Sequence, residues 1–565
     1  MSKYKNIQYL ETKEENKTVE VNGYLLHSKY KPVKEATDHF KRSFKAGQVY
    51  VLFGIGLGYI VEVLESNQVK KENIIIIDPL FQELRSMMQI DISNIDVLSE
   101  VSSLKIENVL SSKIKNYERN IQVICSPNYD KLFPHEYKSV LENVRNFQKN
   151  NQVLENTTYN FSEIWQKNYM YNLMELDKST SFENLKGKYT VPIIVASGGP
   201  SLSKNLPIVR EYRNKMILVA SGSTINTLLT AGIPPDYVVS VDGGEANYVH
   251  FKNINQKEIK LIYNLSSNYK IQEDWKNEKY AILDSGDLEV QKYIKKVFDI
   301  TIPCIPGGAS VANFAFSCAL NMTTGPVALI GQDLAYTNNE THAHNNKHYK
   351  KIDEEYMQER SMFEVEGFYG DKVLTDGAFF LMKQGFERLY TYLSDGRVIY
   401  NCTEGGARIK NMPQQSFKTF CEKYMLEEKS IYLTEEKNII DRKKVCKSLE
   451  KELKLFDNVE KNLKKIEKLI KENTTTFLNR PAIVAKLNSV DQDIIKLKQS
   501  SMINYILDPI ILNIMTKFKE KDNETWEEKN NRIYKQNKFL YANLLIVIVE
   551  VKGYLQKVLE EFENE

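Results

Sequence analysis

The sequence predicts an α/β protein: a Rossmann-like N-terminal domain, a central Rossmann-like parallel-sheet domain and an all-helical C-terminal domain. Three observations predict it. Short apolar runs alternate with helical patterns between residues 48 and 400, and several runs stop at Gly, Ser or Asp, as strands do at the ligand edge of a parallel sheet. A glycine turn near the start is followed, one βαβ unit later, by an acidic strand end. Past residue 430 the apolar residues recur by fours and threes, the spacing of packed helices. The expected boundaries are 1–150, 151–428 with linking helices at its start, and 429–565.

A chain of 565 residues is too long for one core. Lys and Arg number 76 against 74 Asp and Glu, a net charge of +2, which gives no case for a general nucleic-acid or acidic-membrane binder. The polar start Met1-Ser-Lys-Tyr-Lys-Asn6 does not read as a signal peptide. The apolar run Leu544 to Val549 is too short to span a bilayer, so a cytoplasmic protein without a membrane span is expected. Six cysteines (125, 304, 318, 402, 421 and 446) lack metal-ligand spacing and read as buried thiols. No metal and no resident cofactor is expected.

In the first domain Gln48 to Phe53 reads as a strand, Gly54-Ile-Gly-Leu-Gly58 as a turn, Ile60 to Glu65 as a helix, and Ile74 to Ile77 as a strand ending at Asp78. A further strand is expected at Ile121 to Cys125. The turn lacks the last glycine of the dinucleotide pattern, which favours a domain whose glycines only permit close packing. Residues 1 to 45 are polar and mixed, and 130 to 180 are helical with interleaved aromatics.

The central domain is organised around Ile193 to Ala196, a strand running into Ser197-Gly198-Gly199-Pro200-Ser201. Glycine lets a ligand approach the backbone, Pro suits a first helical turn, and Ser201 is placed to cap. Such a turn aims free N–H groups at an anion, although a plain strand-to-helix connection has the same pattern. Met216 to Ala220 repeats the unit with Ser221-Gly222-Ser223-Thr224, and Tyr237 to Val241 ends at Asp242. Strands are expected at 261–263, 280–283, 327–330 and 398–400. Gly307, Gly308 and Ser310 precede a small-residue helix from Val311, and the strand 327–330 ends in Gly331-Gln332-Asp333. Residues 337 to 371 carry His342, His344 and His348 without a supporting carboxylate pattern, and read as a mobile loop over the site. A helix spans 375 to 392. Beyond 430, Leu449 to Ile470 forms an amphipathic seam whose outer Lys face reads as solvated; breaks are expected at Asn473 to Thr476, Pro481, Pro509 and 522–525.

Ala196 to Leu202, Ala231-Gly-Ile-Pro-Pro-Asp236, Val241-Asp242, Pro306 to Ser310, Ile330 to Tyr336 and Asn401 to Ala407 together resemble the motility accessory factor (Maf) flagellin glycosyltransferases. The Gly54 to Gly58 turn is similar to that family's N-terminal domain. The resemblance implies transfer of a nonulosonic acid, of pseudaminic or legionaminic type, from its CMP ester to Ser or Thr of flagellin, in support of motility. The Gly198 to Ser201 turn and the Gly331 to Tyr336 strand end also resemble bacterial CMP-sialic-acid sialyltransferases, which implies a sialyltransferase-type central domain. It further implies Tyr336 as hydroxyl donor to the departing CMP, with Asp333 beside it. Those enzymes carry a His before the helix that follows; this chain has Gly370-Asp371-Lys372 there. The central domain resembles hydroxymethylpterin pyrophosphokinases too, with Asp242 and Asp284 in place of their acidic clusters.

The expected nucleotide site comprises Ser197, Gly198, Gly199, Pro200, Ser201, Ser221, Gly222, Ser223, Thr224, Asp242, Gly307, Gly308, Ser310, Gly331, Gln332, Thr403 and Glu404. The base that accepts the alcohol proton is left among His344, His342, His348 and Asp371. The expected partners are flagellin and the CMP-sugar. Two other readings remain: a pterin-type pyrophosphokinase, and a flagellin-binding scaffold with a vestigial site.

Overall fold

The apolar runs collect into separate cores, and the chain divides accordingly into Met1–Asn160 and Phe161–Glu565. The computed structural model describes residues 6–45, 48–88, 90–114, 121–254, 256, 258–343, 346, 349–394, 396–430, 437–472, 481–518 and 524–564.

In the first unit, β1 (Ile7–Glu11), β2 (Lys17–Val21) and β3 (Tyr24–Leu25) form an antiparallel sheet, followed by a helix Pro32–Ser43. These elements lie in the stretch that reads only as polar and mixed. The strands are short, with only Thr18, Val19 and Val21 buried among them, and the helix buries Pro32, Ala36 and Phe40. A parallel sheet follows: β4 (Val49–Phe53), β5 (Ile74–Ile77), β6 (Asp96–Leu98) and β7 (Ile121–Cys125), in the order β6-β5-β4-β7. β4 and β5 are buried at every residue, as strands covered on both faces must be, which is why their sequences do not alternate.

The second unit opens with β8 (Thr180–Ser181), then β9 (Ile193–Ala196), β10 (Ile217–Ser221), β11 (Tyr237–Ser240), β12 (Lys260–Asn264), β13 (Lys279–Asp284) and β14 (Cys304–Ile305). β15 (Val327–Ile330), the hairpin β16 (Phe363–Glu366) and β17 (Lys372–Thr375), and β18 (Ile399–Asn401) complete it. The main sheet is parallel, in the order β14-β13-β12-β11-β10-β9-β15-β18, with β8 beside β13. Between β15 and the helix Gly377–Leu393, the expected loop carries a helix Glu354–Glu359 and that hairpin, pieces too short to set up a periodicity.

At the foot of the sheet Asp236 is nearly fully buried. Its carboxylate accepts from Leu218 N–H at 2.8 Å and pairs with Arg213 at 2.9 Å and Lys429 at 2.6 Å. The Pro-Pro-Asp motif thus fastens the segment after the last sheet helix to the sheet.

The C-terminal helices are Arg442–Glu472, Pro481–Ser500, Asn504–Lys517 and Trp526–Asn564. They belong to the second unit: Lys178 pairs with Glu561 at 2.8 Å, Arg442 with Asp177, and Tyr505 donates to Asp287 at 2.6 Å. Pro481 opens its helix, where it has no hydrogen bond to lose. The interruption expected at Pro509 is absent: the helix runs through it, held by buried Ile503, Ile506 and Leu507. The break at Asn473 to Thr476 lies outside the described residues. Among those residues the helix Trp526–Asn564 is long enough to cross a membrane, and an 18-residue window of it has a mean hydropathy of 1.3, with 33% of that window buried. It buries Leu544, Val547, Ile548 and Val551, and Lys552 pairs with Asp457 at 2.6 Å and Glu460 at 2.9 Å.

Glu452 faces inward from the helix Arg442–Glu472 and accepts a hydrogen bond from Tyr293 at 2.9 Å. Burial pushes its carboxyl from 4.5 up to about 8, against the smaller opposing effect of Tyr293. The neutral acid is the form that fits. Its stabilisation is therefore complete below pH 4.5, declines between 4.5 and 8, and is lost above. Glu452→Gln is expected to flatten the fall of melting temperature across that window, which calorimetry at stepped pH will measure.

Candidate functional site

The sheet builds outward from β9 through β10 to β14; the chain then returns by the helix Val311–Met322 and lays β15 on the other side of β9. The strand order therefore reverses between β9 and β15. In parallel sheets a ligand crevice opens at the carboxyl ends of the strands at such a point.

A row of polar side chains occupies that place. The Ser221 hydroxyl lies 3.4 Å from that of Thr224 and 3.2 Å from that of Ser197. Ser197 donates to Gln332 Oε1 at 2.6 Å, and the Gln332 N–H donates to Thr403 Oγ1 at 3.1 Å. The ends of β10, β9, β15 and β18 are thus joined by hydroxyl and amide groups, all buried. Gly198 lies under the segment that follows: Ala343 N–H donates to its carbonyl at 3.0 Å, and a Cβ at Gly198 would meet Asn346 at 3.0 Å and His342 at 3.9 Å.

Asp333 is buried, and its carboxylate is engaged. Oδ1 accepts from the Ser201 hydroxyl at 2.6 Å and the Ser201 N–H at 3.2 Å, and Oδ2 accepts from Thr337 at 2.5 Å. Burial raises its pKa, partly countered by the Ser201 and Thr337 hydrogen bonds. Asp333 is therefore a brace between strand ends. The expected cap from Ser201 is absent for the same reason, since its hydroxyl is spent on Asp333. A Cβ at Gly199 would stand 2.1 Å from Asp333 Oδ1, and one at Gly406 2.0 Å from its carbonyl oxygen, so these glycines serve close packing. Gly331 has a φ of +62° and passes against the Ser197 carbonyl.

The other expected residues divide. Gly222 faces Val311, which places the start of the helix Val311–Met322 beside the β10 turn. Ser310 caps that helix, accepting from Asn313 N–H at 3.3 Å, while Gly307 and Gly308 are pressed against Phe314 and Asn313. Pro200 and Ser223 stand in their turns, and Asp242 is exposed at the end of β11. Glu404 caps the helix Phe417–Tyr424 through Phe417 N–H at 2.9 Å. Tyr336 does not offer the free hydroxyl expected of a leaving-group donor: it is buried and donates to Asp376 at 2.8 Å. Asp376 also holds Arg360 at 2.9 Å and caps the helix Gly377–Leu393. Asp371 is exposed in the β16–β17 turn. His344 and His348 lie outside the described residues; His342 lies beside Gly198. Sequence reading missed Thr337, although it stands only four residues from Asp333, and missed Asp376 and Arg360, because Asp376 lies 40 residues from Tyr336 and 16 from Arg360.

The glycine turn of the first unit is filled by the protein itself. Asp78 accepts from Ile55 N–H at 2.9 Å, Tyr129 Oη from Gly56 N–H at 3.2 Å, and His27 Nε2 from Leu57 N–H at 2.8 Å. A Cβ at Gly54 or Gly56 would stand 2.2 Å from Tyr129 or His27. Burial lowers the His27 pKa to about 4, so it is the neutral acceptor this contact needs. Asp78, also bonded by Tyr129 at 2.9 Å, braces the loop instead of facing a ribose.

A parallel sheet whose strand order reverses between β9 and β15, flanked by helices, is a Rossmann-like α/β arrangement. Residues 167–339 match the family model described as 6-hydroxymethylpterin diphosphokinase MptE-like. The fold over nearly the whole chain is that of the Maf glycosyltransferase from Magnetospirillum magneticum AMB-1, with a TM-score of 0.56 and 14% identity, over 99% of this chain and 95% of that one. No curated protein matches the sequence. The resemblance read from residues 190 to 410 is thus met by the fold.

Asp333→Ala leaves the Ser201 and Thr337 donors buried without an acceptor, and is expected to cost roughly 3 kcal/mol of stability. Chemical denaturation will measure it; Ser203→Ala, one turn position away and outside the brace, is expected to change little. In the first unit, Gly56→Ala is expected to destabilise through its contact with His27, while NAD(H) leaves the wild-type melting curve unmoved.

Proposed function

We propose that the chain is a glycosyltransferase that moves a nonulosonic acid of pseudaminic or legionaminic type from its CMP ester to Ser or Thr hydroxyls of flagellin, in the cytoplasm. The observation that carries the reading is the row Thr224, Ser221, Ser197, Gln332 and Thr403 at the sheet reversal. It supplies neutral donors and acceptors suited to a ribose and a phosphate ester, and the shared fold with a Maf glycosyltransferase supports the reaction class.

In the proposed reaction the acceptor hydroxyl oxygen bonds to the anomeric carbon, the bond from that carbon to the phosphate oxygen breaks, and CMP leaves with the electron pair. The acceptor proton passes to His342, the described imidazole beside Gly198. Backbone N–H groups of the β10 turn and the start of the helix Val311–Met322 stabilise the departing phosphate. Tyr336 supports this site indirectly, by fixing Asp376 and Arg360.

The match of residues 167–339 to a pterin diphosphokinase family favours a second reading, pyrophosphoryl transfer from ATP to a hydroxymethyl group near Asp242. Calorimetry separates the two. CMP is expected to bind more tightly than ATP, and Gly198→Val to weaken CMP by about tenfold or more by crowding the turn. Stronger binding of ATP with a hydroxymethylpterin would reverse the assignment.

His342→Ala is expected to lower transfer to flagellin roughly a hundredfold or more, the share of a general base, with CMP affinity nearly unchanged. Intact-mass analysis of flagellin incubated with CMP-sugar and each variant reads the outcome; unchanged turnover removes His342 from the reaction.

A further inference from the structure

The balanced net charge conceals one segregated feature. Along the helix Arg442–Glu472 the positions Lys443, Lys447, Lys451, Lys454, Asn458, Lys461, Lys465 and Lys468 repeat by fours and threes, and all are exposed. At 100° per residue they form one ridge. The buried seam Val445, Leu449, Phe456, Val459, Leu463, Ile466 and Ile470 lies on the opposite side, so the ridge is the most protruding line of the helix. It runs roughly 38 Å at 1.5 Å of rise per residue. The chain as a whole has 76 basic and 74 acidic residues, yet seven of these eight positions are lysines, and the acids that share their face are Glu450 and Glu472. The flanking lysines are neutralised: Lys444 by Asp299, Lys464 by Glu460 and Lys471 by Glu467. Of the ridge, Lys468 reaches Glu472 at 3.9 Å, and the other six lysines have no ion pair among the described residues.

We propose that this ridge docks the protein on an anionic lipid surface. A straight row of flexible cations can touch a plane at every turn, whereas a duplex backbone curves away from a straight line. The ridge holds no Arg for bidentate phosphate contacts and no aromatic side chain for stacking on bases, which disfavours nucleic acid. The association is peripheral and electrostatic, each cation adding attraction that salt screens. It is independent of the donor sugar assigned above.

The test is flotation of the full chain with vesicles of phosphatidylcholine alone, or of phosphatidylcholine with about one third phosphatidylglycerol, the anionic surface that attracts basic residues. Binding is expected to the anionic vesicles only, at low ionic strength, and to vanish at roughly 0.5 M salt. The variant Lys447→Gln/Lys454→Gln/Lys461→Gln/Lys465→Gln keeps helix propensity, and is expected to bind about tenfold or more weakly with an unchanged melting temperature. Equal binding to both vesicle types, no binding at low salt, or unchanged binding by the variant overturns the proposal. So does retention of duplex DNA at least as strong as that of vesicles and lost in the same variant, which assigns the ridge to nucleic acid.

Discussion

The candidate site hangs on one buried carboxylate. Asp333 collects the Ser201 backbone and hydroxyl from the turn after β9 and the Thr337 hydroxyl from beyond β15. Gly406, after β18, lies directly on its backbone. Three loops are thereby held around one side chain. The tightness is visible in the backbone: Leu334 and Glu404 both adopt left-handed φ, at +54° and +56°. A side-chain-bearing residue holds that conformation only where its surroundings over-determine it, at a cost of order 1 kcal/mol. The hydroxyl row from Thr224 to Thr403 keeps its spacing because the strand ends that carry it cannot drift apart.

Much of this architecture was legible in the residues. β5, β9 and β15 stand where their apolar runs begin and end, since a strand buried on both faces has no polar residue inside it. The Ser and Gly residues at strand ends marked the right edge of the sheet. Their individual tasks were not legible. Gly199 and Gly307 looked like openings for a ligand and are contacts for Asp333 and Phe314. Tyr336 looked like a free phenol, and its hydroxyl is spent on a hydrogen bond to Asp376, forty residues on. Local pattern reports the conformation of a turn; what fills the space beside it is decided by residues distant in sequence.

The helical region shows the same division. The seam from Leu449 to Ile470 announced an amphipathic helix, but not what its buried side would meet. It meets the sheet's own helical layer, through Tyr293 and Glu452, while Tyr505 and Tyr169 stack at 4.6 Å and both donate to Asp287 just past the end of β13. The last helices therefore reach the edge of the sheet where the candidate site lies, several strands away from it.

The plugged loop of the first unit bears on how such proteins are recognised. Gly54, Gly56 and Gly58 follow a strand in a spacing that falls one glycine short of the dinucleotide pattern, and all three hold positive φ. The loop is closed to a ligand, because a carboxylate, a phenol and an imidazole of the protein accept from its backbone N–H groups. Whether a glycine loop of this kind is a receptor or a relic is written at positions 27 and 129, outside any window drawn around the glycines. In related chains, a small residue at those two places is the mark by which an open loop could be told from a closed one.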